Sequence, residues 1–235
     1  MHTKSYGPHP DQVIDVLPGA ADQPLIVLIH GGFWRPSYDR SHAIPPARAL
    51  AAGGHSVLLP EYRRCPANPD ATVDDIREVL LRATDLALNN GRVVLIGHSA
   101  GGHLALWAAS ACPPTGLMKV LALGAVADLA QAARLDLGSG ATQAFLGSDR
   151  PDLDPTQLPT PQADVVLING TADTTVPMSL AESYVSSHPK SRLIRLEGVS
   201  HLDLIDPRGK AWPYVAAETT IMPGADCSAR GQSGV

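Results

Sequence analysis

The chain has 235 residues, of which 44% are hydrophobic and 17% charged, with 18 Lys and Arg against 23 Asp and Glu for a formal charge of −5. This is too apolar for a disordered chain, and the absence of any basic block excludes a nucleic-acid partner held through phosphate contacts. The apolar runs fall far short of the roughly 20 residues that span a bilayer, so no membrane partner is expected. Residues 1–10 (MHTKSYGPHP) have no apolar core and do not read as a secretory signal. Three widely spaced cysteines, Cys65, Cys112 and Cys227, suit neither a disulfide framework nor a zinc site, and a cytoplasmic location is expected.

In chain order, branched apolar runs alternate with helical patterns. The run 25–29 (LIVLI) is followed by a helix over 44–52, and 56–59 (SVLL) by a helix over 70–88 with Val73, Ile76, Val79, Leu80 and Ala83 on one face. The run 92–96 (RVVLI) leads into a helix over 100–111. A weaker run, 119–123, precedes a stretch over 127–161 rich in Asp, Gly, Ser and Pro, with helical patches at 129–135 and 142–146. That stretch reads either as a small lid or as a surface excursion. The run 165–168 (VVLI) comes next, then a helix over 177–187 and a weaker run, 192–196. Short unbroken Val/Ile/Leu runs between helices are the pattern of parallel strands buried on both faces. The expectation is one α/β domain over 1–218, a doubly wound and mostly parallel sheet with helices on both faces, and a flexible tail over 219–235.

Gly97-His98-Ser99-Ala100-Gly101 lies directly between the RVVLI strand and its helix. A G-x-S-x-G turn in that context forces the serine into strained φ/ψ and lifts its hydroxyl above the sheet, at a helix N-terminus that favours developing negative charge. Such a hydroxyl needs a base and an orienting acid farther along the chain, in the order Ser, Asp, His. Asp173 follows the VVLI strand, and His201 follows the RLIRL strand. Both therefore fall on the edge that carries Ser99. Asp164 precedes its strand and belongs to the opposite edge, and Asp128 lies in the excursion. The LIVLI strand runs into His30-Gly31-Gly32-Phe33-Trp34, whose glycines let backbone amides approach a substrate carbonyl. Gly31, Gly32 and Phe33, with Ala100, are the candidate oxyanion hole.

On these residues the chain resembles the α/β-hydrolases of the HGG-type esterase and lipase group. Within it, the HGG-x-W segment, the extended elbow 97–104 (GHSAGGHL), Asp173 ahead of Val176-Pro177, and His201 ahead of 202–207 (LDLIDP) most resemble kynurenine formamidase (arylformamidase) and its bacterial relatives. The resemblance implies the α/β-hydrolase fold with a small excursion after its sixth strand. It also implies a triad of Ser99, Asp173 and His201 that hydrolyses N-formylkynurenine in tryptophan catabolism without a cofactor or metal. The partner is then a small acyl substrate, aromatic in part, and a homodimer is left open. Rival readings are a short-chain carboxylesterase and a non-catalytic binding protein on the same fold. Trp34, Tyr62 and His98 are the candidate substrate contacts. Trp34 has plain packing as its alternative, His98 packing beside Ser99. Glu61 and Arg63 read as an ion pair, with Arg63 alternatively facing a substrate carboxylate. His98 and His103 stand at i, i+5, a spacing wrong for one metal.

Overall fold

Leu25–Ile29 is buried at every position because its two faces meet different layers. Leu25, Val27 and Ile29 join one apolar cluster, and Ile26 and Leu28 join the other. The structure, a computed structural model, describes residues 1–220. In chain order it contains β1 (His2–Ser5), β2 (Val13–Leu17), β3 (Leu25–Ile29), α1 (Ile44–Ala52), β4 (Val57–Pro60), α2 (Pro69–Leu81), α3 (Ala83–Leu86), β5 (Val93–His98), α4 (Ala100–Ala111), β6 (Leu117–Leu123), α5 (Leu129–Arg134), α6 (Ala141–Leu146), β7 (Asp164–Gly170), α7 (Ser179–Ser187), β8 (Arg192–Leu196) and α8 (Trp212–Thr219), with short 3-10 turns between some of them.

The eight strands form one sheet in the order β1-β2-β4-β3-β5-β6-β7-β8. From β4 to β8 every neighbouring pair is parallel, and β1 and β2 add an antiparallel edge. The first cluster packs α2, α4 and α7 on one face, and the second packs α1 and α8 on the other. This is the doubly wound sheet expected from the apolar runs. Its consequence for function is directional. His30, Glu61, Ser99, Gly124, Asp173 and His201 all follow the C-terminal ends of parallel strands, the edge where open α/β sheets hold their ligands.

Several boundaries differ from the sequence reading. The helix over 70–88 is two helices, because Arg82 leaves helical geometry at φ −108° and ψ 1°. β1, β2 and α8 lie outside the expected elements. β1 is polar and exposed throughout, and β2 (VIDVL) carries Asp15 at its centre, which accepts from Arg40 Nε at 2.7 Å. Thr219 is the last residue of α8 and is buried, so the domain runs past 218. The remainder of the tail assigned over 219–235 lies outside the described residues from 221 onward.

The 127–161 stretch is folded and docked. Asp128 caps α5 by accepting from Gln131 N at 2.7 Å, and its other oxygen accepts from Ser183 Oγ at 2.5 Å. Phe145 of α6 stacks on Trp34 with ring centroids 4.6 Å apart, which fastens the stretch to the segment after β3.

Candidate active site

Between β5 and α4 the backbone turns through Ser99 at φ 57° and ψ −119°. A non-glycine residue there is strained, and such strain persists only where its surroundings enforce it. Two glycines make the enforcement sterically feasible. A Cβ at residue 97 would come 2.1 Å from Gly101 O, and one at residue 101 would come 2.1 Å from Ile29 O. The turn is closed by Ser99 N donating to Leu123 O at 2.9 Å and by His103 N donating to Ser99 O at 3.1 Å. Ala100 is the first residue of α4, so its amide has no helical acceptor behind it.

Asp173 and His201 meet beside this turn. His201 Nδ1 donates to Asp173 Oδ2 at 2.7 Å, and Asp173 Oδ1 accepts from the amides of Thr175 and Val176, each at 2.9 Å. Three donors on one nearly buried carboxylate fix its orientation, and it in turn fixes the imidazole tautomer with Nε2 free of the proton. Gly124, at φ 50°, makes the space: a Cβ there would lie 3.1 Å from both Asp173 Oδ2 and His201 Nδ1. Leu123 O, the carbonyl that holds Ser99 N, is one residue away. Gly124 escapes a sequence reading because its requirement comes from side chains far along the chain. Its one signal is a glycine closing an apolar strand.

His98 connects the parts. It is fully buried, its Nε2 donates to His201 O at 3.1 Å, and its ring centroid is 4.5 Å from that of His201. Burial pushes its pKa well below the usual histidine value, so it is neutral near pH 7, with the unpartnered Nδ1 carrying the lone pair. His98 therefore acts on His201 rather than on a substrate, contrary to its assignment as a substrate contact. His98, which precedes Ser99, and Gly124, which follows the Leu123 carbonyl that holds Ser99 N, both adjoin His201, and among the described residues no hydrogen bond joins the Ser99 hydroxyl to His201. A hydrogen bond from nucleophile to base commonly tightens only when substrate is bound.

The segment after β3 supplies free amides through its carbonyls. Tyr62 Oη donates to His30 O at 2.8 Å, His30 Nδ1 lies 2.8 Å from Gly31 O, and Arg35 N donates to Gly32 O at 3.0 Å. In a planar trans peptide the N–H points opposite to the C=O. Pinning these carbonyls therefore turns the amides of Gly31, Gly32 and Phe33 the other way. Gly32, Phe33 and Trp34 all have positive φ, at 113°, 50° and 53°. A Cβ on Gly31 would sit 3.0 Å from Ser99 Cβ, so this strained segment lies directly against the serine.

Beneath it is a buried ionic cluster. His30 Nε2 is 2.9 Å from Glu61 Oε1, Glu61 also pairs with Arg64, and its Oε2 accepts from Arg40 N at 2.9 Å. Tyr62 has no exposed surface, and its ring stacks on His30 at 4.4 Å. It supports the loop from below and cannot line the mouth, which corrects that assignment. Trp34 is 3% exposed, stacked on Phe145 and edge-on to His103, so it is packing rather than an aromatic wall for substrate. The Glu61–Arg63 pair is also corrected: Arg63 pairs with Asp75 at 2.7 Å, while Glu61 takes Arg64 and Arg40.

Among the described residues no His, Cys, Asp and Glu group is placed to hold a metal, and no helix is long and apolar enough to cross a membrane.

Comparison with known proteins agrees with this architecture. The BD-FAE family model matches residues 16–117. A Mycobacterium tuberculosis protein named as an acetyl-hydrolase, LipR, is 33% identical over 117 residues, 48% of this chain and 38% of that protein. The carboxylesterase NlhH of the same species is 34% identical over 87 residues, 34% of this chain and 27% of its own length. The chain thus matches well under half the length of these relatives. Among solved structures, an esterase B from Lactobacillus rhamnosis bound to a tributyrin phosphonate superposes with a TM-score of 0.77 at 20% identity, covering 92% of this chain and 83% of that one. Thermogutta terrifontis esterase 2, phosphoramylated by tabun, gives 0.69 at 22%, covering 93% and 90%. The chain has the α/β-hydrolase fold.

Proposed function

We propose that this chain is a serine hydrolase that cleaves a short-chain carboxylic ester through an acyl-enzyme. The Asp173–His201 hydrogen bond of 2.7 Å, on the edge where Ser99 is held at φ 57°, carries the reading. In this mechanism His201 Nε2 takes the proton of Ser99 Oγ as the oxygen attacks the substrate carbonyl carbon. The carbonyl oxygen becomes an oxyanion that accepts hydrogen bonds from the amides of Ala100 and of Gly32 or Phe33. Losing one such donor typically costs about 3 kcal/mol of barrier lowering. The tetrahedral intermediate collapses, the bond to the leaving oxygen breaks, and His201⁺ gives that oxygen its proton. Water, deprotonated by His201, then attacks the acyl carbon, and Ser99 leaves with the proton. No cofactor takes part.

Ester cleavage stands ahead of formamide cleavage because the matched relatives quoted above are named as an acetyl-hydrolase and a carboxylesterase. The formamidase likeness of the HGG-x-W and GHSAGGH segments keeps N-formylkynurenine as the second reading. Steady-state kinetics on p-nitrophenyl acetate, p-nitrophenyl butyrate, formanilide and N-formylkynurenine separate the two. The esters are expected to give the larger kcat/KM. A kcat/KM that is larger on N-formylkynurenine reverses the order.

A further inference from the structure

A groove with a cavity volume of about 700 Å³ is walled in part by the 3-10 turn that His201 caps, and no step above uses it. Its walls are the start of α1 with the preceding 3-10 turn Arg40–Ala43, and the 3-10 turn Leu202–Ile205. Ile44, Pro45, Leu202, Ile205 and Pro207 give it an apolar lining, and its polar groups are His42, Arg48, Asp206 and Arg208. We propose that this groove is the leaving-group subsite, and that it takes an alcohol or amine with an apolar body and a carboxylate. The proposal rests on the reading of Ser99 and His201 as nucleophile and base.

Position is the first argument. The leaving atom receives its proton from His201, so the leaving group must extend along the His201 side of the reacting carbon. Leu202 follows His201 directly and is 64% exposed, an apolar side chain facing the open groove. On the opposite wall the His42 ring is edge-on to His30 at 5.7 Å, and Gly31 next to His30 packs on Ser99. One wall therefore begins one residue past the base, and the other adjoins the His30 ring that precedes the oxyanion segment. The volume lies within the roughly 300–1,000 Å³ typical of small-molecule sites.

Charge is the second argument. At the rim Arg208 Nε pairs with Asp206 at 3.3 Å, so those two cancel. His42 is pushed below its usual pKa, first by burial, and adds no charge near pH 7. Arg48 makes no ion pair among the described residues. The groove thus presents one uncompensated guanidinium, on a chain whose formal charge is −5. The overall field repels anions, so any preference for an anionic leaving group must be local.

Phenyl acetate and 3-acetoxybenzoate test this, since they share an acetyl group and a phenol leaving group and differ by one carboxylate. The wild-type kcat/KM ratio is expected to favour 3-acetoxybenzoate about fivefold, the size an exposed ion pair supports, and to shrink with added salt. Arg48→Ala should bring the ratio near one, and Arg48→Glu below one. Arg48 is exposed on α1, so both variants should fold, and circular dichroism checks this. A wild-type ratio at or below one, or a ratio that survives Arg48→Glu, overturns the subsite while leaving the hydrolase reading standing. Failure to hydrolyse either ester contradicts the hydrolase reading itself.

Discussion

The two ends of the sheet carry similar charge clusters in opposite surroundings. At the N-terminal edge Lys119 and Arg192 each reach Glu218 at 3.0 Å, and Arg192 reaches Asp164 at 3.5 Å, with the side chains of Lys119, Glu218 and Arg192 14%, 18% and 49% exposed. At the C-terminal edge the side chains of Glu61 and Arg64 are 3% and 5% exposed, beside a buried His30 whose pKa desolvation pushes down to about 3, which keeps it neutral. An exposed pair contributes about 0–1 kcal/mol, whereas stripping one partner from a buried pair costs about 3–5 kcal/mol. The partly exposed network joins the end of α8 to the sheet. The buried one anchors His30, whose ring reaches the Gly31 carbonyl and so fixes the peptide between Gly31 and Gly32. Charge is buried where a backbone has to be aimed.

The largest contrast is catalytic. Asp173→Asn is expected to lower kcat about 10⁴-fold, because the amide no longer holds the imidazole tautomer. Asp164→Asn, at the opposite end of β7, should change kcat less than twofold in the same ester assay. Comparable losses in both would mean that the edge is not what matters. On stability, Glu61→Gln should lower the unfolding free energy by about 3–5 kcal/mol, and Glu218→Gln, which leaves partly hydrated partners, by less, both read from urea midpoints. Equal shifts would remove the distinction between buried and exposed clusters.

His98→Leu sharpens the account within the site. Loss of the donor to His201 O should lower kcat about 10- to 100-fold with KM little changed, and move the acidic limb of the pH profile. His98→Gln retains an N–H and should recover most of the activity. A glutamine variant as impaired as the leucine variant argues that His98 is packing only.

A smaller effect follows from buried neutral histidines. His103 is fully buried and pushed down to about 4, chiefly by burial. An unfolded histidine titrates near 6.5, so between about pH 6.5 and 4 the unfolded chain holds a proton that the folded chain does not. This contribution to stability is present above 6.5 and is lost as the pH falls towards 4, by up to about 1.4 kcal/mol per pH unit. The urea midpoint should fall between pH 7.5 and 5, and His103→Gln should flatten that slope. An unchanged slope in the variant contradicts it.

Much of this architecture can be read in the residues, and the exceptions are physical. β3, β5 and β7 announce themselves because the stretch of a strand buried on both faces reads as an unbroken apolar run, LIVLI, VVLI and VVLI in turn. Helices at Ile44–Ala52 and Ala100–Ala111 fall where glycine and proline punctuate the chain. β1 carries no such signal, since an exposed edge strand needs no apolar side chains. The choice of Arg64 over Arg63 as partner of Glu61 depends on how α2 brings Asp75 to Arg63. Tyr62 misled because a tyrosine just past a strand end serves equally well at a mouth or beneath a loop, and only burial separates the two. The placement of Ser99, Asp173 and His201 on one edge is legible because each follows a strand end, which assigns an edge without coordinates.

The central claim is that the strained serine is the nucleophile, and covalent labelling tests it most directly. Incubation with a fluorophosphonate followed by intact-mass and peptide mass spectrometry should give one adduct per chain, on Ser99, with loss of esterase activity in proportion. Ser99→Ala should take up no label. An active wild-type protein that is not labelled, or labelling that persists undiminished in Ser99→Ala, would contradict the account.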